Sequence, residues 1–363
     1  MGGIPWTIGV AVGVQSALGT INATIRDLNS GDGTGTAGAL TPAEGIVLGD
    51  PSVGVGESGI ELTFQRDSQA KAKLANFTTQ PSNFLREIIE GLTIGFPLKG
   101  NGAVISGAPA DAEFTPQAGI NALLRGLSLT GAGWGSGIGW AFTPATLAYL
   151  TVKVFLGRRA SDGIGLAWVF QDCLASGSIE WAGGGIGVVT ASLGVGSVAD
   201  FGGGWPDLEE LFPTFEYGTQ GSTSAPVVKG AGHAFGATRG FEKFSLKIDN
   251  KLQERGNSNA PTGFSQRLSD RVVSASATLY SDDADLDFEA QEILRTTTPT
   301  NLMSFRVGTA AGVGATALGY QVRLTTPEVT SLKPVRLDDE LGWELDVVGV
   351  NGVANGELSL IFD

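Results

Sequence analysis

The sequence predicts a mainly β chain: two tandem β-sandwich or open-barrel domains, each carrying one short packed helix. Three observations predict it. Short runs alternate apolar and polar residues with a period of two, the pattern of a half-buried strand. Glycine is abundant without any period: 55 of 363 residues, roughly twice the average share, scattered among Val, Ile, Thr and Ala. That distribution excludes collagen and assigns the glycines to turns, bulges and bare strand faces. Finally, the series of strand-like segments is written twice.

The duplication begins at Ile60-Glu61-Leu62-Thr63-Phe64, which is echoed by Phe244-Ser245-Leu246-Lys247-Ile248. Leu92–Leu98 then matches Val272–Leu279, and Ala110–Phe114 matches Ala284–Phe288. Each copy continues into a short helical stretch, ending Leu123-Leu124-Arg125 in one and Ile293-Leu294-Arg295 in the other. Gly165–Val169 parallels Gly319–Arg323, and Gly187–Gly196 parallels Gly342–Gly352. The offset between copies falls from 184 to 154 residues (248 − 64, then 323 − 169), while the order never changes. A shrinking offset means that the first copy carries the longer loops.

Each copy therefore reads strand, turn, strand, helix, strand, strand, strand. In the second helix Asp285, Asp287 and Glu289 stand near the N-terminus and Arg295 near the C-terminus, the favourable sense for the helix dipole. The domain limits follow: an N-terminal arm over 1–44, a first domain over 45–199, a linker over 200–230 and a second domain over 231–363. The arm holds a strand-like run, Ile8–Val14, and the linker holds Gly202-Gly203-Gly204, Pro206, Pro213 and Pro226. In Gly131–Trp140 glycine recurs at every second position opposite Trp134, Ile138 and Trp140. Such a bare face suits either a close contact between subunits or a surface loop.

The chain is acidic, with a net charge of −14. Residues 1–199 carry 14 acids and 10 bases (−4), and residues 200–363 carry 23 acids and 13 bases (−10). That balance argues against binding nucleic acid by phosphate neutralisation. It suits either a surface that lets a polyanion pass or simple solubility. Cys173 and His233 are each the only residue of their type, so zinc ligation by Cys and His is not expected and an internal disulfide is impossible. His233 has no G-x-S-x-G partner motif, and Lys229–Phe235 lacks the third glycine of a dinucleotide fingerprint. Asp283, Asp285 and Asp287 mimic the start of a calcium loop, yet Phe288 and Leu294 occupy its glycine and glutamate positions. No metal, cofactor or catalytic residue is expected. The uncharged stretches 126–152 and 181–199 are broken by glycine and proline, and read as buried β-segments rather than membrane spans.

Taken together, Phe244–Asp249 with Asn250-Lys251, then Arg271–Tyr280 and the acidic helix, resembles the tail tube, or major tail, proteins of long-tailed bacteriophages. The closing segments Gly342–Val347 and Glu357–Phe362 are similar to that family too. The resemblance implies a non-enzymatic virion protein, made in the host cytoplasm, whose subunits form stacked rings around a DNA channel. Members with two tube domains form trimers of pseudo-sixfold symmetry, and the duplication points to that group. The implied partners are further copies of the chain and other tail proteins at the tube ends, with DNA passing unbound and no membrane involved. Glu61, Glu242 and Asp249 are the candidates for lumen or inner-strand positions. Another tandem β-domain structural protein (a baseplate, decoration or adhesin component) is the alternative, and a carbohydrate-active β-sandwich is the third class.

Overall fold

In a computed structural model of the chain, the residues described are 6–26, 45–48, 63–69, 84–90, 92–97, 118–133, 140–144, 148–158, 165–182, 188–194, 196–201, 229–230, 241–256, 264–281, 303–307, 320–324, 327–349 and 357–362. They are mainly β, and every strand pairing among them is antiparallel.

The first half contains β1 (Trp6–Val14), α1 (Ala23–Arg26), β2 (Gly45–Leu48), β3 (Thr63–Gln69), β4 (Phe84–Glu90), β5 (Leu92–Pro97) and α2 (Ala118–Gly126). It continues through β6 (Leu129–Gly133), β7 (Trp140–Pro144), β8 (Leu150–Arg158), β9 (Gly165–Ala182), β10 (Val188–Gly194) and β11 (Ser197–Phe201). The second half contains β12 (Lys229–Gly230), β13 (Phe241–Gly256), β14 (Phe264–Tyr280), β15 (Met303–Val307) and β16 (Tyr320–Leu324). It ends with β17 (Pro327–Leu337), β18 (Glu340–Gly349) and β19 (Ser359–Phe362).

One set of pairings occurs twice. β5 pairs with β10 and β10 with β9, just as β14 pairs with β18 and β18 with β17. β1–β8–β9–β11 is matched by β12–β15–β16–β19, and the β3–β4 pair by the β13–β14 hairpin. In the first half β9 is a single strand that serves two ladders, and in the second half β16 and β17 divide that work. The bend in β9 falls at Asp172, whose φ is 56°.

The two halves are joined edge to edge, because β13 pairs with β9 from Lys243↔Ala182 to Ile248↔Gly177. The path β17-β18-β14-β13-β9-β8-β1-β2 is therefore one continuous sheet. Two tandem domains would hold two cores, but among the described residues the buried ones form one cluster that runs from Val10 and Val12 through Ile179 and Leu246 to Leu345 and Leu360. Fusion of the sheets explains it: the apolar faces of β9 and β13 lie side by side and are covered together.

Local rules account for the smaller elements. Asn22 caps α1, its Oδ1 accepting the Ile25 N–H at 3.2 Å. The buried Lys153 closes the other end, its ammonium donating to the Arg26 carbonyl at 2.8 Å. α2 buries Ala122, Leu123 and Leu124 and stops at Ser128, which takes the left-handed conformation with φ 66°.

Several sequence expectations shift. The strand expected at 60–64 is described from Thr63 to Gln69, so the polar run Gln65–Gln69 lies in the strand and not after it. Likewise β13 continues through Asp249–Gln253, because β14 pairs with it along nearly its whole length. Leu129–Gly133 and Trp140–Pro144 form the hairpin β6–β7 with Gly133 opposite Trp140, while 134–139 lie outside the described residues. Ile8–Val14 belongs to β1, an interior strand held between β8 and β2. The second helix (285–295), His233 and most of the 200–230 linker lie outside the described residues.

Candidate functional site

The alternation of side chains divides the long sheet into two unlike faces. On one side the cross-strand row Val189–Ile179–Leu246–Ala275–Val347–Val329 belongs to the core. The neighbouring row on the opposite face reads Glu180–Ser245–Ser276–Asp346–Ser331. Its flanking rows are Thr190–Ser178–Lys247–Ser274 and Lys243–Thr278–Glu344–Lys333. Hydroxyls dominate this face, and the acids Glu180, Glu344 and Asp346 are interleaved with Lys243, Lys247 and Lys333. No strand supplies more than a few of these polar side chains, so the polarity is a property of the assembled sheet.

Of the candidates, Asp249 lies on β13 on the same side as Ser245 and Lys247, half-buried and paired with Val272. Glu242 is exposed at the start of β13, where a bulge between Phe241 and Lys243 interrupts the register. Glu61 lies outside the described residues. The structure thus brings Asp249 onto the polar face and adds Glu180, Glu344 and Asp346, which sequence reasoning missed. Their signal was available in the alternations Ser176-x-Ser178-x-Glu180 and Ser274-x-Ser276-x-Thr278.

A second polar cluster sits where β9 bends. Asp172 is buried, and its Oδ1 accepts the Gly19 N–H at 2.8 Å. The Gln15 amide, turned with its nitrogen toward Asp172 Oδ1 (2.9 Å), accepts from the Asp172 N–H at 3.1 Å and the Thr151 hydroxyl at 3.0 Å. The cluster fastens the segment after β1 to the bend. Burial pushes the Asp172 carboxyl above the ordinary carboxylate range, against the opposing effect of the Gly19 N–H and the Gln171 amide. Tyr149 nearby is raised too, by burial and then by Asp172.

The sign of the pH dependence follows. A carboxyl whose folded pKa exceeds its unfolded value of 3.8 binds protons more readily in the native state. Its contribution to stability therefore falls as pH rises through that window. Asp172→Asn keeps an acceptor for Gly19, suits the left-handed backbone and removes the buried charge. We expect this variant to melt at higher temperature than the parent at pH 7, with the difference narrowing as pH is lowered toward 3.8. Thermal melts followed by circular dichroism at a series of pH values check this; a gap that widens on acidification would contradict it.

Cys173 is fully buried, and burial holds its thiol well above its ordinary value, which disfavours the reactive thiolate. Among the described residues no group of His, Cys, Asp and Glu is placed to hold a metal ion. Nor is any helix among them long and apolar enough to cross a membrane. The fold and its faces define the protein's class as a mainly antiparallel β-protein with a sheet shared by both halves. No family model matches the chain, and no curated protein matches it.

Proposed function

We propose that this chain is a self-assembling structural protein, the tail tube subunit of a long-tailed bacteriophage, with two tandem tube-like domains. Three copies close into a ring of pseudo-sixfold symmetry, and rings stack into a tube through which DNA passes. The observation that carries this reading is the doubled pairing pattern joined edge to edge by β9 and β13. A unit that already adds its second copy to the border of its first can add the next chain in the same way. Ring closure satisfies backbone groups that a sheet border leaves unpaired, and stacking gives an open-ended polymer.

The polar face of the sheet supports the same reading. Hydroxyls, with acids set between the lysines, offer a passing polyanion no continuous basic track, which disfavours holding DNA by phosphate neutralisation. Negative-stain microscopy of the purified protein tests the proposal. Annular or tubular particles with threefold or sixfold end views and a central hole are expected. A protein that stays monomeric at every concentration and salt would overturn it.

A further inference from the structure

The long hairpin β13–β14 outruns its neighbours. β9 accompanies β13 only as far as Ile248, and β18 accompanies β14 only from Ser274 onward. Beyond those points, among the described residues, β13 and β14 pair with each other alone, as far as Gly256↔Phe264. A two-stranded ribbon is marginal in water, so its direction must be fixed by contacts outside the ladder.

The ribbon divides into a base, a joint and an arm. The base is clamped on both strands. The Asn250 N–H donates to the Ser176 hydroxyl at 3.2 Å and the Asn250 amide to the Ala175 carbonyl at 2.8 Å. Arg271, opposite Asn250, holds Glu357. One step further the register slips between Lys251 and Leu252, where Ser269 is the extra residue and its hydroxyl donates to the Lys251 carbonyl at 2.7 Å. A bulge interrupts the ladder and bends its strand, which makes this step the joint.

The arm beyond it (252–256 with 264–268) meets the first half at Gln266. The Tyr149 hydroxyl donates to the Gln266 carbonyl at 3.1 Å, and the Gln266 side chain lies on Gly194, where a Cβ would meet its Cδ at 2.7 Å. Tyr149 is held from behind, since its carbonyl accepts the Gln15 N–H at 2.8 Å and the Gln15 side chain is bound into the Asp172 cluster. Gly194 leads back there too: the Gly196 N–H donates to the Gln171 carbonyl at 3.2 Å, and a Cβ on Gly196 would meet that of Asp172 at 2.7 Å. Both surfaces that receive Gln266 thus rest on the bend of β9.

We propose that the end of the β13–β14 hairpin is a hinged arm, latched to the first half by Tyr149 and Gly194 at Gln266, and that the latch closes only while the buried cluster around Asp172 is intact. The segment after β1 and the arm of the second half are then coupled, so that loosening the first releases the second. The device belongs to the single chain and stands apart from the ring-forming reading.

The test is a distance measured by pulsed electron resonance between spin labels at Glu180→Cys and Arg255→Cys. Both positions are exposed, and Cys173 is buried. Glu180 stands opposite Ser245, ten residues of strand from Arg255 (255 − 245), so a separation of roughly 35 Å is expected. The parent, diluted with unlabelled protein to suppress distances between copies, should give one narrow distance. Tyr149→Phe deletes only the hydroxyl and should raise the ratio of open to closed arm about fivefold, the worth of one net hydrogen bond, seen as a broadened distribution. Asp172→Gly suits the left-handed backbone and should broaden it as well, although position 172 bonds to Gly19 and Gln15 rather than to the arm. Asp172→Asn keeps the acceptor and should stay with the parent. A narrow, unchanged distance in Tyr149→Phe would overturn the latch, as would a broad distribution in the parent. Broadening in Tyr149→Phe without any in Asp172→Gly would overturn the coupling. Gln15→Met, which leaves the backbone untouched, is read in the same way and serves where Asp172→Gly does not fold.

Discussion

Gly177→Val is expected to abolish cooperative folding of the whole chain. Gly177 lies where β9 is flanked by β10 on one side and β13 on the other, opposite Ala191 and Ile248 respectively. A Cβ at this position would press on the Thr190 carbonyl oxygen, with Leu127 Cδ2 at 3.1 Å and the Ala191 Cα at 3.3 Å. Two of those obstacles are backbone, which cannot rotate away as a flexible side-chain end can. Relief would require β9 to part from β10 and carry β13 with it. Overpacking a core costs about 1–3 kcal/mol when side chains can adjust; here ladder bonds break as well, and the loss should exceed that range. Since the typical stability of a domain is about 5–15 kcal/mol, much of the native population is forfeited. Urea unfolding monitored by far-ultraviolet circular dichroism decides it. A variant with a sharp transition at the parent midpoint would show that the junction is looser than its geometry.

The same residue illustrates what the sequence could and could not disclose. Alternation in Phe244–Asp249 identifies a strand and its apolar face, and the structure places Phe244, Leu246 and Ile248 in the core accordingly. The run Ile8–Val14 was legible as a strand too, and lies in β1. Which strands touch was not, because pairing between β9 and β13 depends on contacts across more than 60 residues of intervening chain, including all of 202–228. Glycine composition could mark close approach in general, yet could not single out Gly177 from 55 glycines. The polar face was invisible for a related reason. Ser178, Ser276 and Asp346 are commonplace singly and become a surface only when the register aligns them. Charge was the poorer guide to position: a bulge removes Glu242 from the regular alternation, whereas Asp249 keeps it beside Ser245 and Lys247.

Breaking the Arg271–Glu357 ion pair is expected to destabilise the protein by about 3–5 kcal/mol, the range for leaving one partner of a buried pair unmatched. Arg271 belongs to β14 in the long sheet, whereas Glu357 leads into β19 of the six-stranded sheet, so the pair ties the two sheets together. The side chains are only 13% and 6% exposed, which shields them from salt. Among the described residues Oε2 of Glu357 has no hydrogen-bond partner, and Oε1 is held by this guanidinium. Glu357→Ala leaves an arginine buried without an anion, and Arg271→Met leaves the reverse. Replacing both, as Arg271→Met with Glu357→Leu, fills similar volume with no charge to solvate and should recover most of the loss. A double-mutant cycle in urea, repeated at low and high salt, measures the coupling. Single variants that each cost under about 1 kcal/mol, or a coupling that vanishes in high salt, would assign the pair to the solvated surface. Coupling that persists in high salt would mark it as a buried electrostatic tie between the two sheets.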